Sequence, residues 1–240
     1  YTSPHWPLHA LQEDIEKYRG VYDEGWDAIR EKRLRKQIEI GLWEKEISLT
    51  PRDSQVPAWD SLSKAEQEEF ALRMAIYAAQ IDAMDQGIGR IIRKLEENRQ
   101  LDNTIIFFLA DNGGRAEFIS SGKSKDLTGD LADTWESYRI NWANVSNTPF
   151  REYKHWIHEG GIRTPMIVHW PNGIDPSLKS NFIREYGHLT DIMATCVDLA
   201  GIDYPQTIGN RKIVPMQGTS LVPHFAKESN HRSPIFWEHE

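Results

Sequence analysis

Residues 104–114 read Thr104-Ile-Ile-Phe-Phe-Leu-Ala-Asp-Asn-Gly-Gly114, a run of six apolar residues that leads directly into a carboxylate, an amide and two glycines. The run is short, rich in β-branched and aromatic residues, and shows no alternation of polar and apolar positions. This pattern predicts a strand that is buried on both faces inside a parallel sheet. The expected fold class is therefore α/β, with a mostly parallel sheet and helices on both of its faces.

Asp111 and Asn112 follow this strand directly. In open α/β sheets, ligands bind just beyond the carboxyl ends of the strands, which is where these two side chains would stand. They offer hard oxygen ligands of the kind that calcium or magnesium takes, and Gly113 and Gly114 allow the backbone to turn away. An ordinary Asp-Asn-Gly turn explains the same residues equally well. The stretch alone leaves a metal site and a simple turn both open.

Composition narrows the classes of function. The chain has 240 residues, of which 39% are hydrophobic, enough for one α/β domain or most of one. Its 36 acidic and 28 basic residues give a net charge of -8, which argues against nucleic-acid binding. No apolar stretch approaches membrane-spanning length, and the N-terminus has no signal-peptide pattern. The single cysteine, Cys196, cannot form an internal disulfide and is predicted to be a buried structural thiol.

The clearest helix begins at Ser63-Lys-Ala-Glu66, a capping box, and runs for about 35 residues. Apolar residues at steps of three and four predict one core-facing stripe, formed by Phe70, Met74, Tyr77, Ile81, Met84, Ile88, Ile91 and Leu95. Further helices are predicted at 22–40 and at 188–200. In the second of these, Gly201 forms the C-terminal cap, and the inward residues are Leu189, Ile192, Cys196 and Leu199. Additional strands are predicted at 166–170 and 233–239.

Three less regular segments carry candidate functional residues. Residues 1–10 place Thr2, His5 and His9 in a loop between prolines, where a surface role is the simplest explanation. Residues 115–150 form a long irregular stretch, and long ordered loops are commonly functional. Its aromatic residues could form a wall for a sugar or aryl group, or could attach the loop to the core: Trp135, Tyr138, Trp142 and Phe150. Residues 153–165 gather several charged and histidine side chains around a glycine pair, which packing alone does not explain: Lys154, His155, His158, Glu159 and Arg163.

Four segments, in order along the chain, resemble one family, the sulfatases of the alkaline-phosphatase superfamily, arylsulfatase type. They are the histidine-bearing loop Tyr1–Ala10, the strand end Phe107–Gly114, the segment Lys154–Pro165 and the helix start His188–Ile192. The resemblance spans essentially the whole chain. It implies a partial alkaline-phosphatase-like sandwich and a sulfuric-ester hydrolase, with a periplasmic or secreted location.

The resemblance also implies roles for individual residues. Asp111 and Asn112 match ligands of a divalent cation, typically calcium. Lys154 matches the lysine that holds the sulfate and assists the leaving oxygen, and His5 matches the histidine that hydrogen-bonds the sulfate ester. A cation, an ammonium group and an imidazole are suited to a sulfuryl group, because negative charge that develops in the transition state then meets fixed positive groups.

Parts of the family pattern are missing from these 240 residues. The family's nucleophile is a formylglycine made from Cys or Ser in a Cys/Ser-x-Pro/Ala-x-Arg motif, and two further aspartates bind its metal. Ser180 has Arg184 at the right distance but Phe182 between them, and Ser48 has Thr50 where Pro or Ala is required. We therefore expect residues 1–240 to be an incomplete sulfatase catalytic domain that lacks the nucleophile part and the C-terminal subdomain. The expected substrate is a sulfated small molecule or glycan.

Two other functions fit part of the sequence. A phosphoesterase of the same superfamily would share the strand and the Asp-Asn pair, although the Lys154–Pro165 segment favours sulfate. A non-catalytic carbohydrate-binding module would instead use the aromatic residues of loop 115–150.

Overall fold

The computed structural model describes residues 1–228 and 232–239. The chain forms two compact units. Unit 1 comprises Tyr1–Asn98, Asn112–Pro165 and the described residues after Trp237. Unit 2 comprises Arg99–Asp111 and the described residues of Met166–Trp237.

Unit 1 is helical. Its helices are α1 (Gln12–Glu16), α2 (Gly25–Glu39), α3 (Lys64–Glu97), α4 (Arg139–Ser146) and the single turn α5 (Glu159–Ile162). Helix α1 packs against α3, and α2 packs against α4. The predicted helix at 22–40 is thus confirmed.

Helix α3 confirms the predicted capping box. The Ser63 side chain accepts a hydrogen bond from the Glu66 backbone N–H, and the Glu66 carboxylate accepts one from the Ser63 backbone N–H. The predicted apolar stripe is only partly buried: Met74 lies in the core, whereas Ile81 and Ile91 are exposed. The burial is concentrated in the first half of the helix, where small residues such as Ala75 and Ala79 allow close packing.

The core of unit 1 is built around tryptophans. The Trp26 ring packs edge-on against Trp59 and Trp142, with centroid distances of 4.7 Å and 5.8 Å. The Trp142 indole N–H donates to the Phe70 carbonyl at 2.8 Å, so its polar end is satisfied. Of the loop aromatics, Trp142 and Tyr138 therefore attach residues 115–150 to the core, while Trp135 stays exposed.

Unit 2 holds both of the sheets found among the described residues. Its elements are β1 (Ile106–Leu109), β2 (Met166–His169), α6 (Thr190–Ala200), β3 (Thr207–Ile208), β4 (Arg211–Lys212) and α7 (Val222–Phe225). Strands β1 and β2 pair in antiparallel register, with Ile106 opposite His169 and Leu109 opposite Met166, and β3 pairs antiparallel with β4.

The expectation of a mostly parallel sheet is not confirmed, since both strand pairs that the structure describes are antiparallel. The expectation that the strand at 105–110 is buried on both faces is wrong, because Phe108 is 42% exposed and its partner Ile167 is 62% exposed. An apolar run without alternation indicates a strand with two apolar faces. It does not specify the direction of the neighbouring strand.

The C-terminal part differs from the prediction in two further respects. Helix α6 forms and ends at Gly201 in the left-handed conformation, as expected. However, Cys196, Leu189 and Leu199 are exposed, and the residues that α6 buries are Asp191, Ala194 and Thr195. Asp191 turns inward because its carboxylate accepts from the backbone N–H groups of His188 and Thr219. The strand predicted at 233–239 does not form.

Candidate active site

The loop that carries His5 is held between α3 and residues 134–136. Gln80, on α3, donates through Nε2 to the carbonyls of His5 and Pro7 at 3.1 Å and 3.0 Å. On the other side, the Leu8 backbone N–H donates to the Glu136 carbonyl at 3.0 Å, and the Leu8 side chain is buried. These contacts place the half-buried His5 ring in unit 1.

The partners of the His5 ring assign its two nitrogens. Nδ1 lies 2.8 Å from the Trp6 carbonyl, which can only accept, so Nδ1 carries a proton. In the neutral ring Nε2 is then an acceptor, and it lies 3.3 Å from Nη1 of Arg115. His5 thus presents Nε2 toward Arg115.

Arg115 belongs to a charged cluster that sequence reasoning missed. Its guanidinium group lies 4.7 Å from the centroid of the Trp6 ring, and its Nε is 2.6 Å from the Glu117 carboxylate. The His155 Nε2 lies 3.0 Å from the same carboxylate oxygen. Burial acts to raise the pKa of the Glu117 carboxyl, but the hydrogen bond from Arg115 and the nearby positive charge lower this pKa overall. Glu117 therefore stays ionised and holds Arg115 beside His5.

Two glycine pairs allow the strand-end segment and the lysine segment to approach closely. The Gly113 N–H donates to the Gly161 carbonyl at 2.9 Å, and the Lys154 N–H donates to the Gly114 carbonyl at 3.0 Å. A Cβ atom on Gly113 would lie 1.7 Å from the Gly160 carbonyl oxygen, so no larger residue fits there. The other glycines are tightly packed elsewhere: a Cβ atom would lie 2.6 Å from the Tyr138 hydroxyl at Gly114, 2.2 Å from the Glu152 carbonyl oxygen at Gly160 and 2.1 Å from the Trp156 carbonyl oxygen at Gly161.

Lys154 is the cation in this region that is available to a ligand. Its side chain is half-buried, and its ammonium group makes no hydrogen bond or ion pair within residues 1–228 and 232–239. The Lys154 backbone N–H donates a hydrogen bond to the Gly114 carbonyl. Arg115, the residue after Gly114, contacts the His5 ring. The structure therefore brings the two predicted sulfate-binding residues, His5 and Lys154, to the same short segment, residues 114–115.

The predicted metal pair is divided between the two units, since Asp111 ends a segment of unit 2 and Asn112 begins a segment of unit 1. Asp111 is exposed and Asn112 is half-buried. Within the described part of the chain, no group of three or more His, Cys, Asp or Glu side chains is arranged to hold a metal ion. The donor chemistry of Asp111 and Asn112 suits a hard cation such as calcium, but calcium takes six to eight oxygens. These residues can form only part of such a site.

The described helices and strands define a mixed α/β fold. The chain belongs to the sulfatase family, whose profile matches residues 1–202.

Two curated relatives illustrate the similarity. An uncharacterized sulfatase of Schizosaccharomyces pombe is 33% identical over 98% of this chain and 44% of its own length. An arylsulfatase of Klebsiella aerogenes is 30% identical over 92% of this chain and 49% of its own length. The chain thus spans about half the length of these relatives.

Among solved structures, Ps i-CgsB in complex with k-i-k-neocarrahexaose matches 95% of this chain and 32% of its own chain, with a TM-score of 0.53 and 22% sequence identity. This similarity shows a shared fold. Among the helices that the structure describes, none is both long enough and apolar enough to cross a membrane.

Proposed function

We propose that this chain is part of a sulfuric-ester hydrolase of the arylsulfatase type. The observation that carries the proposal is that both residues contact one short segment of unit 1: the His5 ring contacts Arg115, and the Lys154 backbone N–H donates to the Gly114 carbonyl. Among the described residues, the Lys154 ammonium group makes no hydrogen bond or ion pair. A sulfate monoester carries negative oxygens on sulfur and an ester oxygen that leaves with negative charge. An ammonium group and an imidazole on residues that contact the same short segment would match both requirements.

In the proposed reaction, Lys154 binds the sulfuryl oxygens and orients the ester. As the bond between sulfur and the ester oxygen breaks, negative charge develops on that oxygen. Lys154 stabilises it together with His5, whose Nε2 can donate once the ring has bound a second proton. The contact between His5 Nδ1 and the Trp6 carbonyl fixes the ring so that Nε2 is the nitrogen that faces the site. Asp111 and Asn112 would supply part of a divalent-cation site, most simply calcium, and that cation would neutralise charge on the sulfate. The formylglycine nucleophile of the family would come from outside residues 1–240.

We further propose that residues 1–240 are one part of a larger catalytic domain. The support is the ribbon formed by β1 and β2, whose residues Phe108, Met166 and Ile167 are exposed although they are large and apolar. In a complete alkaline-phosphatase-like domain, a larger and mostly parallel sheet with helices on both faces would cover such residues. The family resemblance also implies export to the periplasm or the outside of the cell.

For the substrate, we propose a sulfated carbohydrate rather than a small aryl sulfate. Trp135 is 42% exposed, and its ring lies 5.8 Å from that of Trp6, the residue next to His5. An exposed aromatic ring beside the reacting ester is suited to the apolar face of a sugar. Ps i-CgsB, which shares the fold, is bound to a carbohydrate.

The full-length protein should be tested with para-nitrophenyl sulfate, para-nitrophenyl phosphate and sulfated oligosaccharides, with residues 1–240 alone in parallel. We expect the full-length protein to release sulfate, and we expect no turnover by residues 1–240, because they contain no formylglycine motif. Faster hydrolysis of the phosphate ester would indicate a phosphoesterase instead. Binding of oligosaccharides without hydrolysis of any ester would indicate a carbohydrate-binding module.

A further inference from the structure

Gln80 is a buried polar residue in the middle of α3, and it has a well-defined orientation. It is 4% exposed, and its Nε2 donates to two carbonyls of the His5 loop, those of His5 and Pro7. Because carbonyl oxygens only accept hydrogen bonds, both contacts require the nitrogen of the amide, and not its oxygen, to face the loop. The amide therefore spans the loop on both sides of Trp6.

The opposite end of the same amide has no partner. Gln80 Oε1 is buried and makes no hydrogen bond among the described residues. An unpaired buried acceptor destabilises a protein, and a methionine of similar size would avoid that cost. Neighbouring buried positions of α3, such as Ile76 and Ala79, are apolar. What glutamine adds at position 80 is therefore its pair of donated hydrogen bonds.

The His5 loop depends on these two bonds. Within the described part of the chain, residues 1–7 make no hydrogen bond from backbone to backbone. The first such bond is that of Leu8 N–H to the Glu136 carbonyl. Gln80 is thus the residue that fixes the main chain at His5 itself.

We propose that Gln80 is a positioning residue for His5, which it holds at the place where His5 meets the sulfate ester. The inference rests on the function proposed above for His5. Gln80 itself touches no substrate. It acts through the backbone carbonyls of the loop, and a displacement of about 1 Å at a reacting group can lower turnover by roughly 100-fold.

The test uses the full-length protein and the variant Gln80→Met, with Gln67→Met as the matched control. Gln67 lies on the same helix and also donates through Nε2 to a loop carbonyl, that of Trp59, at 3.0 Å. We expect Gln80→Met to lower kcat for sulfate-ester hydrolysis by roughly 10- to 100-fold with little change in KM, and Gln67→Met to leave kcat unchanged. In a His5→Ala background, Gln80→Met should have no further effect, because the group that it positions is gone.

The proposal would be overturned if Gln80→Met lowered kcat equally in the presence and absence of His5. It would also be overturned if Gln67→Met lowered kcat as much as Gln80→Met. If Gln80→Met does not fold, Gln80→Glu keeps the shape, removes both N–H donors and is subject to the same comparison with His5→Ala. The NMR resonances of the His5 ring provide a readout that does not need activity. They should shift in Gln80→Met and not in Gln67→Met, and unchanged resonances would refute the inference. Absence of sulfatase activity in the unmodified protein would instead refute the proposed function.

Discussion

The Arg73 guanidinium group donates to the Glu136 carboxylate at 2.9 Å, and both side chains are buried. The same guanidinium group donates to the Ser137 carbonyl at 2.7 Å, so α3 holds the main chain that in turn anchors the His5 loop. Burial acts to raise the pKa of the Glu136 carboxyl, but hydrogen bonds from Ser120 and Arg73 lower this pKa below its ordinary value of 4.5.

Glu136→Gln should therefore change both the stability of the protein and its dependence on pH. Because the pKa of Glu136 is lowered by folding, its stabilising contribution is complete above pH 4.5 and is lost as the pH falls below that value. At neutral pH, the variant removes the buried carboxylate partner of Arg73, which keeps its pair with Glu69, and should lose about 1–3 kcal/mol of unfolding free energy. Urea unfolding at several pH values measures both effects.

The control is Glu97→Gln, which removes an exposed ion pair with Lys94 and should lower the free energy of unfolding by less than about 1 kcal/mol. Equal pH dependence in the Glu136 variant and the unmodified protein would contradict this account.

Gly113→Ala should destabilise unit 1, because the added methyl group would collide with the Gly160 carbonyl oxygen. We expect a loss of about 1–3 kcal/mol or more, measured as a lower urea midpoint. Gly89→Ala is the control. Gly89 lies in α3, and its nearest contact is the end of the Arg93 side chain at 3.5 Å, so alanine there should stabilise by about 0.5–1 kcal/mol. A tolerated Gly113→Ala would mean that the two glycine segments do not touch as described.

Lys154→Ala in the full-length protein should reduce kcat/KM for sulfate esters by roughly 100- to 1,000-fold, in line with the loss of one fixed group that stabilises developing charge. The fold should survive, because the bond from residue 154 to the Gly114 carbonyl is made by the backbone. Lys123→Ala is the comparison, since Lys123 is exposed and, among the described residues, pairs only with Asp133 at 3.1 Å. Activity similar to that of the unmodified enzyme would remove Lys154 from the site.

Asp111→Ala in the full-length protein should lower both the activity and the amount of bound divalent metal. The variant removes a carboxylate ligand of the cation, and the cation is the largest charge in the proposed site. Metal content by mass spectrometry and turnover should fall together. Asp102→Ala, on the other side of β1, should change neither. Residues 1–240 alone should bind calcium weakly, since their two ligands carry little charge, and micromolar affinity by calorimetry would contradict that expectation.

Local signals in the sequence predicted the helices well. The capping box at Ser63 and the C-terminal glycine at Gly201 each act within a few residues, so the sequence alone identifies these helix boundaries. The direction of strand pairing and the burial of Cys196 depend on segments far away in the chain. No short window contains that information. The predicted burial of Cys196 is wrong, and the predicted parallel pairing is not found among the described strands.

The same limit applies to the candidate site. His5 and Lys154 were found because their segments resemble a family. Gln80 was overlooked because it contacts His5 from 75 residues away, in a helix that otherwise looks like plain core packing. Arg115 follows the Gly113-Gly114 pair directly and Glu117 lies two residues further on. Two opposite charges so close to the glycine pair are a signal that could have identified them.

The β1–β2 ribbon has a practical consequence for anyone who prepares residues 1–240 by themselves. Within the described residues, each of its strands has one partner only, so the outer edge of each strand offers unpaired backbone groups next to exposed Phe108 and Ile167. A second copy of the fragment can pair one of its own strands with such an edge. Pairing of this kind is a route by which isolated sheet fragments aggregate. A charged residue at position 167, on the exposed face of β2, would oppose this stacking and keep the fragment dispersed at the concentrations that calorimetry and NMR require.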